Sequence, residues 1–355
     1  NLYDGLKQSQ RKILFATLLK GLRHGGKSMK VAQLAGFVAE KTNYHHGEQC
    51  LNETITKMAQ DYPGANNIPY LQKDGQFGTR LSNGKDAASA RYIFTKLHKL
   101  TRLVFRESDD ALLERVIDDG DIVEPTYYLP IIPMILVNGC VGIGTGWSST
   151  VPCYNPRDIV ECVKKWIAGE EIPEISPWYN NHKGEIVKES DTKYTSYGIA
   201  TNKKLDTIVS ELPVGMSTDK FKDFLDVVVE AKKVRSVKNY SSPTEVKFVI
   251  NRGRDGMTCS IKNLKLTSSI CTSNMVLFDK DGKLRKYADT TEIITEFCET
   301  RLEMYVKRKD ALLASIKHSY NIAKNKKRFL EEVMAEKLKI HNRDEDELVA
   351  ELEEK

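Results

Sequence analysis

At 355 residues, the chain is too long for one compact core and suits two or three units. Its 54 Lys+Arg against 49 Asp+Glu leave a formal +5, and its longest apolar tract, Leu129 to Val137, holds two prolines and is too short to cross a bilayer; no signal peptide is visible. The cysteines number seven, with no C-x-x-C pair and no His-rich spacing to complete a zinc site, so reduced thiols in an intracellular protein are the simple reading. The start at Asn1 without Met suggests a piece of something larger.

Charge is unevenly spread. Residues 1–104 hold 16 Lys+Arg against 7 Asp+Glu, a formal +9, while the far C-terminus is acidic from Asp344 to Glu347 and again at Glu351, Glu353 and Glu354. A basic front end suggests a polyanion partner.

In chain order, residues 8–22 read as a helix, with Ile13, Leu14, Leu18 and Leu22 on one face and Gly21, Gly25 and Gly26 stopping it. A second helix is expected from about Lys30 to Glu40 and a third from Glu48, carrying Leu51, Ile55, Met58 and Ala59, with the turn Thr42 to Gly47 between them. Helix, tight turn, helix is the helix-turn-helix outline. Leu71 to Gly78 reads as a hairpin around Asp74-Gly75, which would form a wing, and residues 95–106 read as an amphipathic helix through Leu97, Leu100 and Val104.

From Glu124 the texture changes. Residues 125–290 read as a mixed α/β unit, with strand-like runs such as Thr244 to Ile250 and Asn274 to Phe278 and a helix near 218–230. Residues 291–338 read as mostly helical: Leu302, Tyr305, Leu312, Ile316, Tyr320 and Ala323 recur every three or four residues, which fits a long helix packing on a partner helix.

The most informative stretch is Gly75 to Asp86, rich in glycine and cations, followed by Arg91-Tyr92. A phenol is a poor nucleophile, ionising near pH ~10. Beside an arginine, on a loop that a phosphate backbone can approach, it becomes a candidate for attack on a phosphodiester.

Several segments together carry a resemblance: Asp4-Gly5-Leu6-Lys7 through Gln10-Arg11-Lys12, Lys30 to Leu34, Tyr44-His45-His46-Gly47-Glu48, Gln76 to Arg80, Gly84 to Ala88 and Arg91-Tyr92. Tyr128-Leu129-Pro130, Asn138-Gly139, Gly142 to Ser148 and Pro177-Trp178-Tyr179 follow in order. The set resembles the DNA breakage-reunion region of type IIA DNA topoisomerases. It is closer to the eukaryotic topoisomerase II branch than to bacterial gyrase, through its Tyr-His-His-Gly-Glu and Pro-Trp-Tyr segments.

The resemblance implies an α+β multidomain protein: a winged-helix DNA-cleavage domain over 1–124, a mixed α/β tower domain over 125–290, and over 291–355 the start of a long coiled-coil arm leading to a dimer gate. It implies transient double-strand cleavage with passage of a second duplex, Tyr92 as nucleophile and Arg91 as its charge-stabilising partner. DNA contacts are expected from Lys7, Arg11, Lys12, Lys30, Gln33, His45, His46, Arg80 and Lys85, and Ile143 matches the family's wedge that enters the base stack. Mg²⁺ is expected from a Toprim domain and ATP from an ATPase domain, both outside this chain; no metal site is expected within it, and Asp118-Asp119-Gly120-Asp121 matches a loop. Double-stranded DNA and a second copy are the expected partners, no membrane is, and the nucleus is the expected location, with a viral replication site in host cytoplasm as the alternative. The rival from another class is a non-cleaving winged-helix architectural DNA binder; a purely structural dimer arm would leave the basic front end unexplained.

Overall fold

A computed structural model of the chain describes residues 1–253, 256, 258–341 and 343–354. It divides into two compact units, Asn1–Arg301 and Leu302–Lys355.

The first unit opens with α1 (Gln8–Leu19), β1 (Met29–Lys30), α2 (Val31–Lys41) and α3 (Glu48–Ala59). The three helices pack on one another through fully buried side chains that include Ile13 and Leu14 of α1, Val31, Leu34 and Val38 of α2, and Leu51 and Ile55 of α3. The apolar spacing in the sequence places these residues on one face of each helix.

β2 (Leu71–Asp74) and β3 (Phe94–Leu97) complete a three-stranded sheet in the order β1-β3-β2. Here the structure departs from the sequence reading twice. The expected hairpin at Asp74-Gly75 does not form; β2 pairs instead with β3, Asp74 opposite Phe94 and Leu71 opposite Leu97, so residues 75–93 are an excursion from the sheet. The expected helix over 95–106 is reduced to α4 (Thr101–Val104), because Phe94 to Leu97 alternates and buries Thr95 and Leu97 as a strand does.

A 3₁₀ turn, Glu107–Leu112, leads to the hairpin β4 (Arg115–Asp118) and β5 (Asp121–Pro125), and α5 (Met134–Asn138) leads to the hairpin β6 (Cys140–Gly144) and β7 (Trp147–Val151). α6 (Pro156–Ala168) has complete end signals: Asn155 accepts the Arg157 N–H, Pro156 sits in the first turn, and Gly169 closes it at φ +73°.

Next come β8 (Ile186–Ser190), β9 (Lys193–Tyr197), β10 (Ile199–Lys203), β11 (Asp206–Glu211), α7 (Thr218–Glu230), β12 (Ser236–Asn239), β13 (Phe248–Asn251) and β14 (Thr267–Cys271). They form a four-stranded sheet, β10-β11-β13-β12, and a three-stranded one, β14-β9-β8. An apolar core of Val209, Leu212, Phe221, Leu225, Phe248 and Ile250 joins α7 to the larger sheet, with Phe221 and Phe248 edge to face at 5.1 Å. The strand expected over 244–250 begins only at Phe248, whereas α7 lies where the sequence placed it.

β15 (Met275–Phe278) and β16 (Leu284–Tyr287) form a last hairpin before α8 (Thr290–Met334). Within the first unit, α8 buries Ile293, Ile294 and Phe297, and Thr300 shares a 3.0 Å hydrogen bond with Tyr3. In the second unit, Leu302, Leu312, Leu313, Ile316 and Tyr320 of α8 stand exposed, and α9 (Glu345–Glu354) follows. Among the described residues, no helix is long and apolar enough to cross a membrane.

Buried ion pairs tie distant segments of the first unit. Asp4, fully buried, accepts Arg11 Nε at 2.9 Å and Nη2 at 3.1 Å, and also the N–H groups of Leu6 and Tyr128. Arg301 donates to Asp109 at 2.7 Å and to the Leu129 carbonyl. Removing one partner of such a pair strands a buried charge. Asp4→Ala is therefore expected to destabilise the unit by ~3–5 kcal/mol, read as a lowered midpoint in denaturant unfolding; an unchanged midpoint would deny the Asp4–Arg11 pair any structural role.

Candidate functional site

Residues 75–93 carry the nucleophile candidate, and their path is fixed at both ends. At the exit, Gly75 takes φ +110° directly against Ile93. At the return, the first two amides of α2 find their acceptors in this loop: Val31 N–H donates to the Ile93 carbonyl at 3.0 Å and Ala32 N–H to the Ala90 carbonyl at 3.1 Å. A helix N-terminus leaves such donors unsatisfied, and here they clamp the backbone on either side of Arg91 and Tyr92. The Tyr92 N–H donates to the Ser89 carbonyl at 2.9 Å.

With its backbone held, the Tyr92 side chain points to solvent and is 71% exposed, more than any other tyrosine of the chain. Tyr128 and Tyr154, by comparison, lie buried, and burial pushes their phenols well above the usual range. Arg91 is also exposed, its guanidinium carbon 5.9 Å from the Tyr92 ring centroid. A fork-shaped cation beside an open phenol is suited to receive phosphoryl oxygens.

Mid-loop order comes from side chains that the sequence reading did not single out. Asp86 accepts the Thr79 N–H at 2.8 Å and the Thr79 hydroxyl at 2.6 Å. Gln60, at the end of α3, donates to the carbonyls of Phe77 at 2.8 Å and Gly84 at 3.2 Å. Asp86 stands in the Gly84-Lys85-Asp86 signature, but the sequence carries no sign that its carboxylate turns back on Thr79.

The expected DNA contacts separate into two groups. Lys7, Lys30, Gln33, His45, His46 and Lys85 are exposed. Lys7, Lys85 and Arg91 line one open cleft of about 1320 Å³, whose wall also carries Lys57, Glu48 and Glu53. Lys30 instead lies against the Phe94 ring, and His46 is edge to face with Tyr44.

Arg11, Lys12 and Arg80 are corrections. All three are buried: Arg11 on Asp4, Lys12 on Glu124 at 3.0 Å and on the Thr42 carbonyl, and Arg80 on the fully buried Glu211. Their charges are neutralised inside the protein, by partners up to 131 residues away in sequence that local spacing could not reveal.

The β6–β7 hairpin carries Ile143 at its end, 93% exposed, with Val141 on the same strand face 69% exposed. Such apolar exposure at the end of a hairpin is costly in water and is braced from below. Trp147 meets Phe278 edge to face at 5.5 Å, and the Thr150 N–H donates to the Asn274 carbonyl at 2.8 Å. A second cleft of about 610 Å³ joins Ile143 and Trp147 to Lys7, so Lys7 borders both clefts.

Among the described residues, one group could gather round a metal ion: His45, Asp118 and Asp119. It does not suit Mg²⁺, which takes oxygen ligands, and the Lys12 ammonium already stands 3.6 Å from Asp118.

A family model for the A-type subunit of DNA gyrase/topoisomerase IV matches residues 1–355. The chain belongs to that family. Among curated relatives, DNA topoisomerase 2 of Invertebrate iridescent virus 6 is 46% identical over 352 residues, covering 96% of this chain and 30% of its own length. DNA topoisomerase 2 of Arabidopsis thaliana is 43% identical over 368 residues, covering 100% and 25%. The chain thus spans under a third of the relatives it matches. A solved structure, the DNA-binding, cleavage and re-ligation domain of Plasmodium falciparum topoisomerase II, superposes with TM-score 0.94 at 38% identity, covering all of this chain and 49% of that one. The α+β, multidomain architecture of this gyrase/topoisomerase family member is that of the Plasmodium domain.

Loop closure makes one glycine indispensable. Gly78 has φ +89°, and a Cβ there would fall 2.5 Å from the Gly84 carbonyl oxygen. Gly78→Ala is expected to cost ~1–3 kcal/mol of local order, seen as new proteolytic cleavage between residues 75 and 93 in the native protein; a protease-resistant variant would refute the close approach.

Proposed function

We propose that this chain is the DNA-cleavage core of an ATP-dependent type IIA topoisomerase of the eukaryotic and large-virus kind. The observation that carries this reading is the exposed Tyr92 phenol, held by a clamped backbone beside Arg91. Residues 1–124 act as the winged-helix cleavage domain, 125–290 as the tower and 291–355 as the beginning of the arm to a dimer gate.

The Tyr92 phenolic oxygen attacks a backbone phosphorus. As the new P–O bond forms, the phenol loses its proton; the bond to the 3′ oxygen breaks, and that oxygen leaves and takes up a proton. The product is a 5′-phosphotyrosyl diester and a free 3′ hydroxyl. One phosphodiester replaces another, so resealing is the reverse attack and needs no outside energy. What the site must supply is alignment and charge stabilisation at a crowded phosphorus. Arg91, 5.9 Å from the Tyr92 ring centroid, supplies the adjacent cation; Lys7 and Lys85, which line the same cleft as Arg91, hold the flanking backbone. Ile143 wedges a base step and bends the duplex.

Mg²⁺ and ATP act at domains outside these residues. Two copies work together, one tyrosine for each strand, and the exposed apolar stripe of α8 supports a helical partner. The working location is the nucleus or, for a viral enzyme, its replication site in the host cytoplasm.

In the full-length enzyme with Mg²⁺ and supercoiled DNA, wild type is expected to leave protein covalently attached to 5′ ends. Tyr92→Phe should abolish the adduct while duplex affinity stays within about twofold, since the phenol makes the bond without supplying charge for binding. A wild-type protein that binds and never forms the adduct would be an architectural DNA binder instead.

Burial of Lys12 adds a sharper contrast. Lys7→Ala should weaken duplex binding and reduce the slope of log affinity against log salt by ~1. Lys12→Ala should leave that slope unchanged and lower thermal stability, by stranding Glu124. Equal salt slopes for the two variants would contradict this division of roles.

A further inference from the structure

The excursion over residues 75–93 is closed at its base by its own module. Its far side, residues 80–83, is bonded to the α/β module that follows. Arg80, 6% exposed, pairs through its guanidinium with Glu211 at the end of β11. The Thr218 N–H donates to the Arg80 carbonyl at 3.3 Å and the Asp219 N–H to the Leu81 carbonyl at 2.9 Å, so loop carbonyls cap the first turn of α7. Ser82 donates its hydroxyl hydrogen to the Asp219 carboxylate, and Asn83 donates to the Gly215 carbonyl at 3.0 Å. Glu211 is itself fixed, accepting the Leu212 N–H at 2.9 Å and the Lys183 N–H at 3.3 Å.

We infer that Arg80 and Glu211 are positioning residues for Tyr92, through which the α/β module built on β11 and α7 sets the place of the nucleophile. The inference rests on the cleavage reading above and adds to it a mechanical link between two modules. A continuous chain of short bonds carries the link. From the packed core of β11 and α7 it runs through Glu211 to Arg80, then to Thr79, whose amide and hydroxyl are held by Asp86. From Asp86 the backbone reaches Ala88, whose N–H donates to the Gln76 carbonyl at 2.9 Å, and then the clamp on Ala90 and Ile93.

Neither member of the pair is placed to meet a substrate, because both are buried. Nor does either module need the pair to form its core: the larger sheet closes over Phe221, Phe248 and Leu225, and the module that carries the loop closes through the sheet β1-β3-β2. Such a pair contributes geometry. Its loss lets the loop shift, and a displacement of ~1 Å at a reacting group is enough to cost ~100-fold in rate.

The test uses the full-length enzyme, comparing wild type with Arg80→Lys, which keeps the charge and loses the fork, and with the paired apolar replacement Arg80→Met with Glu211→Leu. Three quantities are read: duplex affinity, thermal midpoint, and the single-turnover rate of covalent adduct formation. The expected result is an adduct rate reduced ~10- to 100-fold in both variants, with duplex affinity within about twofold of wild type and the paired variant melting within a few degrees of it.

A wild-type adduct rate in the paired variant overturns the inference. So does a rate loss that tracks lost affinity, or unfolding of both variants, since the pair would then serve binding or folding alone. Absence of any adduct in wild type sinks the cleavage reading itself, a distinct result.

Discussion

The site depends on one topological constraint: β2 and β3 are neighbours in a sheet but lie at opposite ends of residues 75–93. Both ends of the excursion are pinned to the same strand pair, and the first amides of α2 pin its returning limb again at Ala90 and Ile93. A side chain on such a loop can stand well out in solvent without its backbone being free to wander. That combination suits the nucleophile role proposed for Tyr92, whose target would be a large, stiff polyanion that cannot be enclosed in a pocket.

The same logic explains where the cations went. The basic front end looks like a single electrostatic surface when only its sequence is counted. In the fold it is two populations. Arg11, Lys12 and Arg80 are desolvated and pair with Asp4, Glu124 and Glu211, and the latter two pairs turn charge into connections between remote segments. Lys7, Lys85 and Arg91 keep their charge at the cleft. Burial decides between the two; for Lys12 and Arg80 it depends on partners more than a hundred residues away, which no local pattern reports.

Much of the architecture was legible because it rests on local periodicity. The apolar spacing of α1, α2 and α3, the position of α7 and the long α8 follow from residues three and four apart. The errors came where local signals compete. Asp74-Gly75 has hairpin chemistry, yet the partner of β2 is supplied by residues 94–97, and the Gly75 conformation serves close packing on Ile93. Leu97, Leu100 and Val104 have helical spacing, yet sheet pairing claims Leu97 first. The open placement of Tyr92 and Ile143 could be anticipated only through the ordered set of motifs. An isoleucine between two glycines reads locally as core, and only the hairpin geometry shows that it projects.

A reversible strand break imposes a stricter demand than cleavage alone. The nucleophile must be aligned for the forward attack and must afterwards present its own ester to the departing 3′ oxygen in nearly the same geometry. A loop held only by contacts with DNA would relax once the strand opened. Here the bonds that hold it, from Asp86 to Thr79, from Gln60 to Phe77 and from Arg80 to Glu211, lie within the protein and do not involve the nucleic acid. On the proposed cleavage role, none of them has to break when the strand opens. On that proposal, the arrangement separates holding the loop from holding the DNA, and would keep the tyrosine in register for the return step.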